Sequence, residues 1–468
     1  MQRLSPLDAM FLNQDSLTAP RQIASLAILS AGDHQLDYDR LVQVINDRID
    51  IVPRYRQRAM PIPGRFGTPL WVDDEDFDIS LHVRRSALPK PGSMASLREL
   101  VGRLIARRLD HDRPLWELYF VEGLKGGRVA LLFKAHQALV DGSDTIDLAQ
   151  VLLEETAHER DIPHQEWNPR SEPGSTGVFL GSMSESLRHP RSAAIVMAHN
   201  ANRWAQKLPL VGRSTVQSGP LSAELGQHRR FATVMSDLDD YRRVRDVHGG
   251  TVNDVILATI AGGIRGWLLT RAEPVSAKWR FRAMVPMSVV AEDGLPTSLG
   301  SKVRGHMLSL PVGESNPVVR LHQVSYALKD HRETGSAVAA NKLANLPGFA
   351  TSTFHAVGAR VADSNQSLPH QIVITNVPGP QEPVYMAGQQ LEEVYPCLPL
   401  SEGRALSIGV TSYHGKVFFG IVADREAIPD ADVLAQCIEE ALTELVESID
   451  GPRNRAPRGR LRPSRGDA

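Results

Sequence analysis

Leu131-Leu132-Phe133-Lys134-Ala135-His136-Gln137-Ala138-Leu139-Val140-Asp141-Gly142 is the stretch whose reading decides the fold. An apolar run from Val129, two polar side chains at its end and a short turn to Asp-Gly describe a buried strand that delivers its last residues to a site. Upstream, Arg113 to Val121 enters a second strand through Pro114. Lys125-Gly126-Gly127 reverses the chain between the two, so Pro114-Leu115-Trp116-Glu117 and the polar pair are expected on antiparallel neighbours. Side chains alternate along a strand, which points His136 and Gln137 to opposite sides. Downstream, Thr145 to Glu155 is periodic enough for a helix whose N-terminus starts beside Asp141 and Gly142.

Working outward, Ser5 caps a helix with Pro6 at its first position and Asp8 in its first turn. A strand is expected at Ile23 to Leu29, a helix at Leu36 to Asp50, strands at Pro69 to Val72 and Phe77 to Val83, and a helix from Ser96 to about Leu109. Residues 159–176 turn to Pro, Ser, Gly and charge, the composition of a linker. Within Ser186 to Ser214, Arg188, Arg191, Arg203, Lys207 and Arg213 alternate with Ile195, Trp204 and Leu208. Such a basic, partly apolar helix either lies on a membrane surface or bridges two domains with solvated arginines.

The second half reads as a strand at Arg229 to Val234 and an apolar helix at Thr251 to Leu268, capped by Thr251 or Asn253. Strands follow at Phe281 to Val289 and Val303 to Leu310, a helix at Leu321 to Glu333, and a buried strand at Gln371 to Pro380. Leu406 to Tyr413 and Val417 to Val422 form a hairpin about His414-Gly415-Lys416, and Asp430 caps a last helix to Ile449. The Arg-rich tail from Gly451 is expected to be disordered. Helices mixed with hairpin-linked strands in both halves indicate an α/β fold, an α+β sandwich in two related domains, rather than one barrel. The expected division is 1–158, a linker and basic helical segment at 159–220, 221–450, and the tail 451–468.

A chain of 468 residues with 42% hydrophobic and 23% charged residues is long enough for two ordinary globular domains. The net charge of -2 supplies no global attraction to nucleic acid, and no nucleic-acid partner is expected. Two cysteines far apart, Cys397 and Cys437, suit a reducing compartment. The N-terminus lacks the basic-then-apolar pattern of a secretion signal. No apolar run approaches the roughly 18 residues that span a bilayer. A cytoplasmic protein is therefore expected, at most peripheral to the inner face of the plasma membrane or to lipid droplets.

Seven segments in order carry a resemblance: LSPLDAMFL from Leu4, FDISLHVRR from Phe77, RPLWE from Arg113, HQALVDG from His136, VNDVILA from Val252, NVPGP from Asn376 and SYHGKVFFGIVAD from Ser412. Each alone is weak; the ordered set resembles the wax ester synthase/diacylglycerol acyltransferase family of actinobacteria, within the CoA-dependent acyltransferase superfamily and its HHxxxDG motif. The resemblance implies two chloramphenicol-acetyltransferase-like domains with an active-site tunnel between them. It implies transfer of a fatty acyl group from acyl-CoA, a co-substrate, to the hydroxyl of diacylglycerol or a long-chain alcohol, with no bound cofactor.

Acyl transfer from a thioester to an alcohol needs a base for the hydroxyl proton and donors for the oxyanion, and a histidine suits the first task. Direct attack requires no nucleophilic serine, and no GxSxG is present. In the family the second histidine of the motif is the base, and here that position is Gln137. A neutral amide has no useful basic site. Three readings stay open: an acyltransferase using His136, another residue or substrate positioning; a catalytically weak or inactive lipid- or acyl-CoA-binding homologue; and an acyltransferase whose acceptor is acidic enough to need no base.

By the same resemblance Asp141 holds the loop by pairing with an arginine, Gly142 permits close backbone approach, and Asn253 and Asp254 lie near the tunnel to bind substrate. As a plain alternative, the latter pair caps a helix. Arg21-Gln22 and Gly300-Ser301 depart from the family's usual residues. His82, His306 and His414 lack ligand spacing, no metal site is indicated, and no phosphate-binding loop is present. Acyl-CoA would be held by Arg and Lys at the tunnel mouth.

Overall fold

The computed structural model describes residues 2–31, 36–62, 68–139, 148–158, 167–171, 219–288, 303–333, 351–364 and 370–450. Along the first half run β1 (Gln2–Arg3), α1 (Pro6–Gln14), β2 (Gln22–Leu29), α2 (Tyr38–Arg48), β3 (Gln57–Met60), β4 (Leu70–Asp73), α3 (Ile79–His82), β5 (Val83–Ala87), α4 (Met94–Ala106), β6 (Trp116–Glu122), β7 (Val129–His136), α5 (Leu148–Leu152) and β8 (Leu153–Glu154). The second half adds β9 (Arg229–Asp237), α6 (Leu238–His248), α7 (Val252–Thr270), β10 (Phe281–Ser288), β11 (Val303–Leu310), α8 (Pro317–Glu333), α9 (Thr351–Ser364), β12 (Ile372–Pro378), β13 (Tyr385–Met386), β14 (Gln389–Cys397), β15 (Leu406–Tyr413), β16 (Lys416–Asp424) and α10 (Ala431–Asp450).

Four helices start alike. Ser5, Asp37, Ser93 and Thr251 each accept the backbone N–H three residues on, satisfying a donor the helix cannot. The same chemistry corrects the strand expected at Phe77 to Val83. Asp78 accepts the N–H of Ser80 and starts the short α3, so the strand begins only at Val83.

A seven-stranded sheet runs β5-β6-β7-β2-β14-β13-β8, and a six-stranded sheet runs β11-β10-β12-β15-β16-β9. Every residue of β7 is buried, as its unbroken apolar run requires of a central strand. It pairs antiparallel with β6 and with β2, Gln22 standing opposite His136. The first sheet is completed from the far end of the chain: β14 pairs with β2, so residues beyond 384 close a sheet begun at residue 22. Where the sheets meet, Pro396 packs on β15 and β16. A Cβ at Gly420 would lie 1.8 Å from the Pro396 carbonyl oxygen, so only glycine lets the backbones come so close.

One helix departs from the expectation that no segment matches a bilayer in length and apolarity. α7 has a mean hydropathy of 1.3, yet 72% of it is buried in the protein. Packed against α10, α8 and α6, it is the core helix of the second half. The basic segment expected at Ser186 to Ser214 and the tail from Gly451 lie outside the described residues.

Candidate active site at the end of β7

The last residue of β7, His136, is fully enclosed, and its backbone N–H donates to Leu115 O at 2.9 Å. Its Nδ1 accepts the Ala138 N–H at 3.0 Å, which places the proton of the neutral ring on Nε2. That Nε2 has no hydrogen-bond partner among the described residues and stands 3.9 Å from Asp15 Oδ2. Burial pushes the imidazole down to about 3 despite the nearby Asp15 carboxylate, so the ring is neutral at physiological pH.

Asp15 follows α1 and is held from three directions. Its Oδ1 accepts the Arg21 N–H at 2.7 Å, and its Oδ2 meets His111 Nε2 at 2.7 Å and Arg108 Nε at 2.5 Å. Burial raises its pKa; the bond from His111, the field of His136 and the bonds from Arg108 and Arg21 together outweigh that and bring it to about 2. The His111 and His136 rings meet edge to face with centroids 5.5 Å apart.

Gln137 lies just past the strand, its N–H donating to Arg21 O at 2.9 Å. Its side chain turns to the second half, where Nε2 donates to Asp363 Oδ2 at 3.0 Å. A carboxylate only accepts, so this bond fixes the amide and leaves Oε1 buried without a partner among the described residues. Asp363 also receives Ser401 Oγ and faces Arg21 Nη1 at 3.0 Å. One turn earlier on α9, Arg360 donates to the Gln137 carbonyl and, at 2.5 Å, to Asp8 Oδ1. The end of β7 is thus clamped to α9 by two charged side chains, a bidentate use to which arginine is suited.

Opposite residues of antiparallel strands share a face, so Gln22 lies beside His136. Its Nε2 donates to the carbonyls of Ile105 and Arg107 at 2.9 and 2.6 Å. Gln22 also lines a narrow cleft between the two sheets with Pro20, Ile105, Arg229, Leu398 and Val422. Arg229 is committed to Asp424 and to the carbonyls of Gly226, His228 and Thr18.

Of the other expected site residues, Asp141 and Gly142 lie outside the described residues. Asn253 Oδ1 accepts from Asn376 Nδ2 at 2.8 Å. Asp254 is fully buried and forms a reciprocal capping box with Thr251. His82 stacks between Phe77 and Trp116, with Nδ1 2.8 Å from Trp116 O. His414 holds a positive φ of 44° at a hairpin turn. The residues not anticipated are Asp15, His111, Arg360 and Asp363; only His111 lay in a quoted neighbourhood, two residues before RPLWE.

The ligand atoms of Asp15, His111 and His136 lie within 4.8 Å of one another, the spacing of a metal triad. The chemistry disagrees. A histidine bound to metal through Nε2 carries its proton on Nδ1 and donates it, whereas this Nδ1 accepts an N–H. Arg108 also occupies the carboxylate oxygen a cation would need. The cluster has the pattern of an oriented imidazole.

Residues 4–256 match the wax ester synthase/diacylglycerol acyltransferase catalytic domain, and residues 299–446 match the C-terminal domain of the same proteins. A probable diacylglycerol O-acyltransferase of Mycobacterium tuberculosis is 30% identical over 461 residues, 96% of this chain and 100% of that one. A second from that organism is 32% identical, over 95% of this chain and 96% of its own length. Among solved structures, the wax ester synthase/diacylglycerol acyltransferase from Marinobacter aquaeolei VT8 superposes with a TM-score of 0.68 at 25% identity, over 97% of this chain and 100% of that one. The first condensation domain of the CDA synthetase has the same fold, with a TM-score of 0.54 at 13% identity over 95% of this chain and 97% of that one.

Proposed function

This chain belongs to the wax ester synthase/diacylglycerol acyltransferase family, and from that membership we propose that it transfers a fatty acyl group from acyl-CoA to the hydroxyl of a diacylglycerol, giving triacylglycerol. Long-chain alcohols, giving wax esters, are the second acceptor class. The observation that carries the reading is the end of β7, where Gln137 Oε1 and His136 Nε2 are enclosed polar groups without partners among the described residues. Leaving such groups unpaired costs about 1–3 kcal/mol each, which at Gln137 a bound hydroxyl recovers.

Gln137 orients the acceptor. Its free Oε1 accepts the hydroxyl hydrogen bond and holds the oxygen toward the thioester, an effect on approach rather than on proton transfer. His136, on the other face of the strand, positions the turn after β7 by accepting the Ala138 N–H at Nδ1. We assign residues 1–158 and 221–450 as the two domains, with β13 and β14 crossing to the first. Asp141 and Gly142 are proposed to shape the loop after Gln137, and Asn253 to line the acceptor side. Attachment to a membrane or droplet surface through the basic segment 186–214 would bring the protein to its lipid acceptors.

The test is CoA release by the purified chain from palmitoyl-CoA, with diacylglycerol or a long-chain alcohol. Turnover that depends on diacylglycerol is expected. A protein that binds acyl-CoA but releases no CoA with either acceptor, and stays inert as Gln137→His, is a lipid-binding relative and overturns the reading.

A further inference from the structure

An amide side chain has two unlike ends, an oxygen that accepts and an NH2 that donates. At Gln137 the partner decides which end points where. Nε2 stands 3.0 Å from Asp363 Oδ2, and a carboxylate paired with arginine only accepts, so the NH2 end faces Asp363. The oxygen end is left over. Gln137 N–H donates to Arg21 O at 2.9 Å, its carbonyl accepts from Arg360, and Nε2 is taken by Asp363, whereas Oε1 is buried without a partner among the described residues. A buried acceptor left over from such complete anchoring is a place for a ligand's donor.

Asp363 cannot turn to serve Gln137 differently, because its two oxygens have separate duties. Oδ1 receives Ser401 Oγ and faces Arg21 Nη1 at 3.0 Å, and Oδ2 is the oxygen given to Gln137. Asp363, Arg21, Ser401 and Gln137 are all buried. The amide belongs to the end of β7 and the carboxylate to α9, so the second half of the chain sets the polarity of a side chain carried by the first.

Resting on the acyltransferase reading, we propose that Asp363 is the positioning residue of the acceptor site: it dictates which end of the Gln137 amide meets the acceptor and confines the site to acceptors that bring a hydrogen-bond donor. A hydroxyl that donates to Oε1 keeps its lone pairs free for the thioester carbonyl carbon. One that met the NH2 instead would have a lone pair engaged and its hydrogen undirected.

A change of one atom separates the two arrangements. In Asp363→Asn, Arg21 and Ser401 hold the oxygen of the introduced amide where Oδ1 stood, because a guanidinium cannot donate to an NH2. The introduced NH2 then stands where Oδ2 was and meets the NH2 of Gln137. Two donors do not pair, so the Gln137 amide turns over and presents Nε2 to the acceptor. Adding Gln137→Glu undoes this: one carboxylate oxygen accepts from the introduced NH2, the other again faces the acceptor, and the negative charge removed at 363 is restored at 137.

The experiment compares the full-length wild type with Asp363→Asn, Gln137→Ala, Gln137→Ala/Asp363→Asn, Gln137→Glu/Asp363→Asn and Gln137→His. It follows CoA release from palmitoyl-CoA with dioleoylglycerol, assayed below the lowest thermal midpoint of the set. Asp363→Asn and Gln137→Ala should each lower kcat at least about tenfold, with the KM for palmitoyl-CoA retained. In the Gln137→Ala background, Asp363→Asn should lower kcat by no more than about twofold, because it acts only through the amide. Gln137→Glu/Asp363→Asn should return to within about threefold of wild type or exceed it. A merely structural carboxylate would lower kcat in both backgrounds and would not be replaced by one at 137.

A folded Asp363→Asn or Gln137→Ala within about threefold of wild type overturns the assignment and leaves the acyltransferase reading standing. So does an equal loss from Asp363→Asn in both backgrounds. If Asp363→Asn does not fold, Gln137→Glu/Asp363→Asn decides against Gln137→Ala, and equal inactivity of those two overturns the assignment. An inert wild type beside an active Gln137→His overturns it as well, since an oriented Gln137 would then support no turnover. If wild type and Gln137→His are both inert, the acyltransferase reading fails, and the assignment with it.

Discussion

Gln137 Nε2 donates to Asp363 Oδ2 at 3.0 Å, joining residues 226 positions apart in the chain. The other oxygen of the same carboxylate faces Arg21 Nη1 at 3.0 Å, and both partners of that ion pair are buried. One carboxylate thus neutralises the guanidinium and fixes the amide that ends β7.

Asp363→Asn removes the charge that Arg21 needs. An uncompensated buried cation costs about 3–5 kcal/mol, so the urea midpoint should fall sharply, whereas Arg21→Met/Asp363→Leu should cost less than either single change. A double variant as damaged as the sum of the singles would show that the two side chains do not act as a pair.

Acid should destabilise the protein from about pH 6 downward, well before its carboxylates titrate. His136 and His355 are held near 3 by burial, against about 6.5 in an unfolded chain. Above 6.5 both states are neutral and stability is complete. As pH falls from 6.5 toward 3, the unfolded chain binds protons that the folded chain refuses, and about 1.4 kcal/mol is lost per pH unit for each histidine. Asp15, lowered to about 2, adds its own loss only below about 4. Unfolding midpoints from pH 7 to 5 should show the slope, and His355→Gln should reduce it. A stability independent of pH in that range contradicts the enclosure of both rings.

Gly420→Ala should be among the most damaging small substitutions in the second sheet. Its Cβ would stand 1.8 Å from the Pro396 carbonyl oxygen, backbone against backbone, with no flexible side chain to give way. Overpacking of this kind costs about 3 kcal/mol. Gly415→Ala, where a Cβ would meet nothing within 4 Å, is the comparison. Both sites sit on the β15–β16 hairpin, but Gly415 has a φ of 74°, so its alanine pays only for backbone conformation.

The strand that carries His136 was legible because all eight of its residues are buried, which requires an unbroken apolar run. Thr251 announced α7 by its chemistry as a cap, and the structure gives Asp254 the reciprocal half of that cap. Phe77 to Val83 misled because its apolar residues look extended while Asp78 turns the backbone. The pairing of β14 with β2 left no local trace, since hydrogen bonds between strands some 365 residues apart depend on the whole topology. For the same reason Asp15, His111, Arg360 and Asp363 could not be picked out: each is an ordinary polar residue until the fold sets it beside its partner. Gln137 was the reverse case, visible in sequence as a departure but explicable only once Asp363 stood opposite it.

Arg360 offers the sharpest separation of packing from function. It donates to the Gln137 carbonyl and to Asp8, and its guanidinium carbon lies 5.1 Å from the Phe11 ring centroid. A lysine keeps the charge but has one compact ammonium, which cannot serve the carbonyl and the carboxylate in the same fork. Hydrogen bonds to charged groups are worth about 1.5–3 kcal/mol, so Arg360→Lys should lower stability by about 2 kcal/mol. The carbonyl it releases belongs to Gln137, whose amide we propose orients the acceptor, and on that reading a small shift there degrades the alignment of hydroxyl and thioester. The expected result is a loss of kcat at least about tenfold in protein that remains folded at the assay temperature. If activity instead tracks the folded fraction alone, Arg360 does no more than fasten α9 to the end of β7.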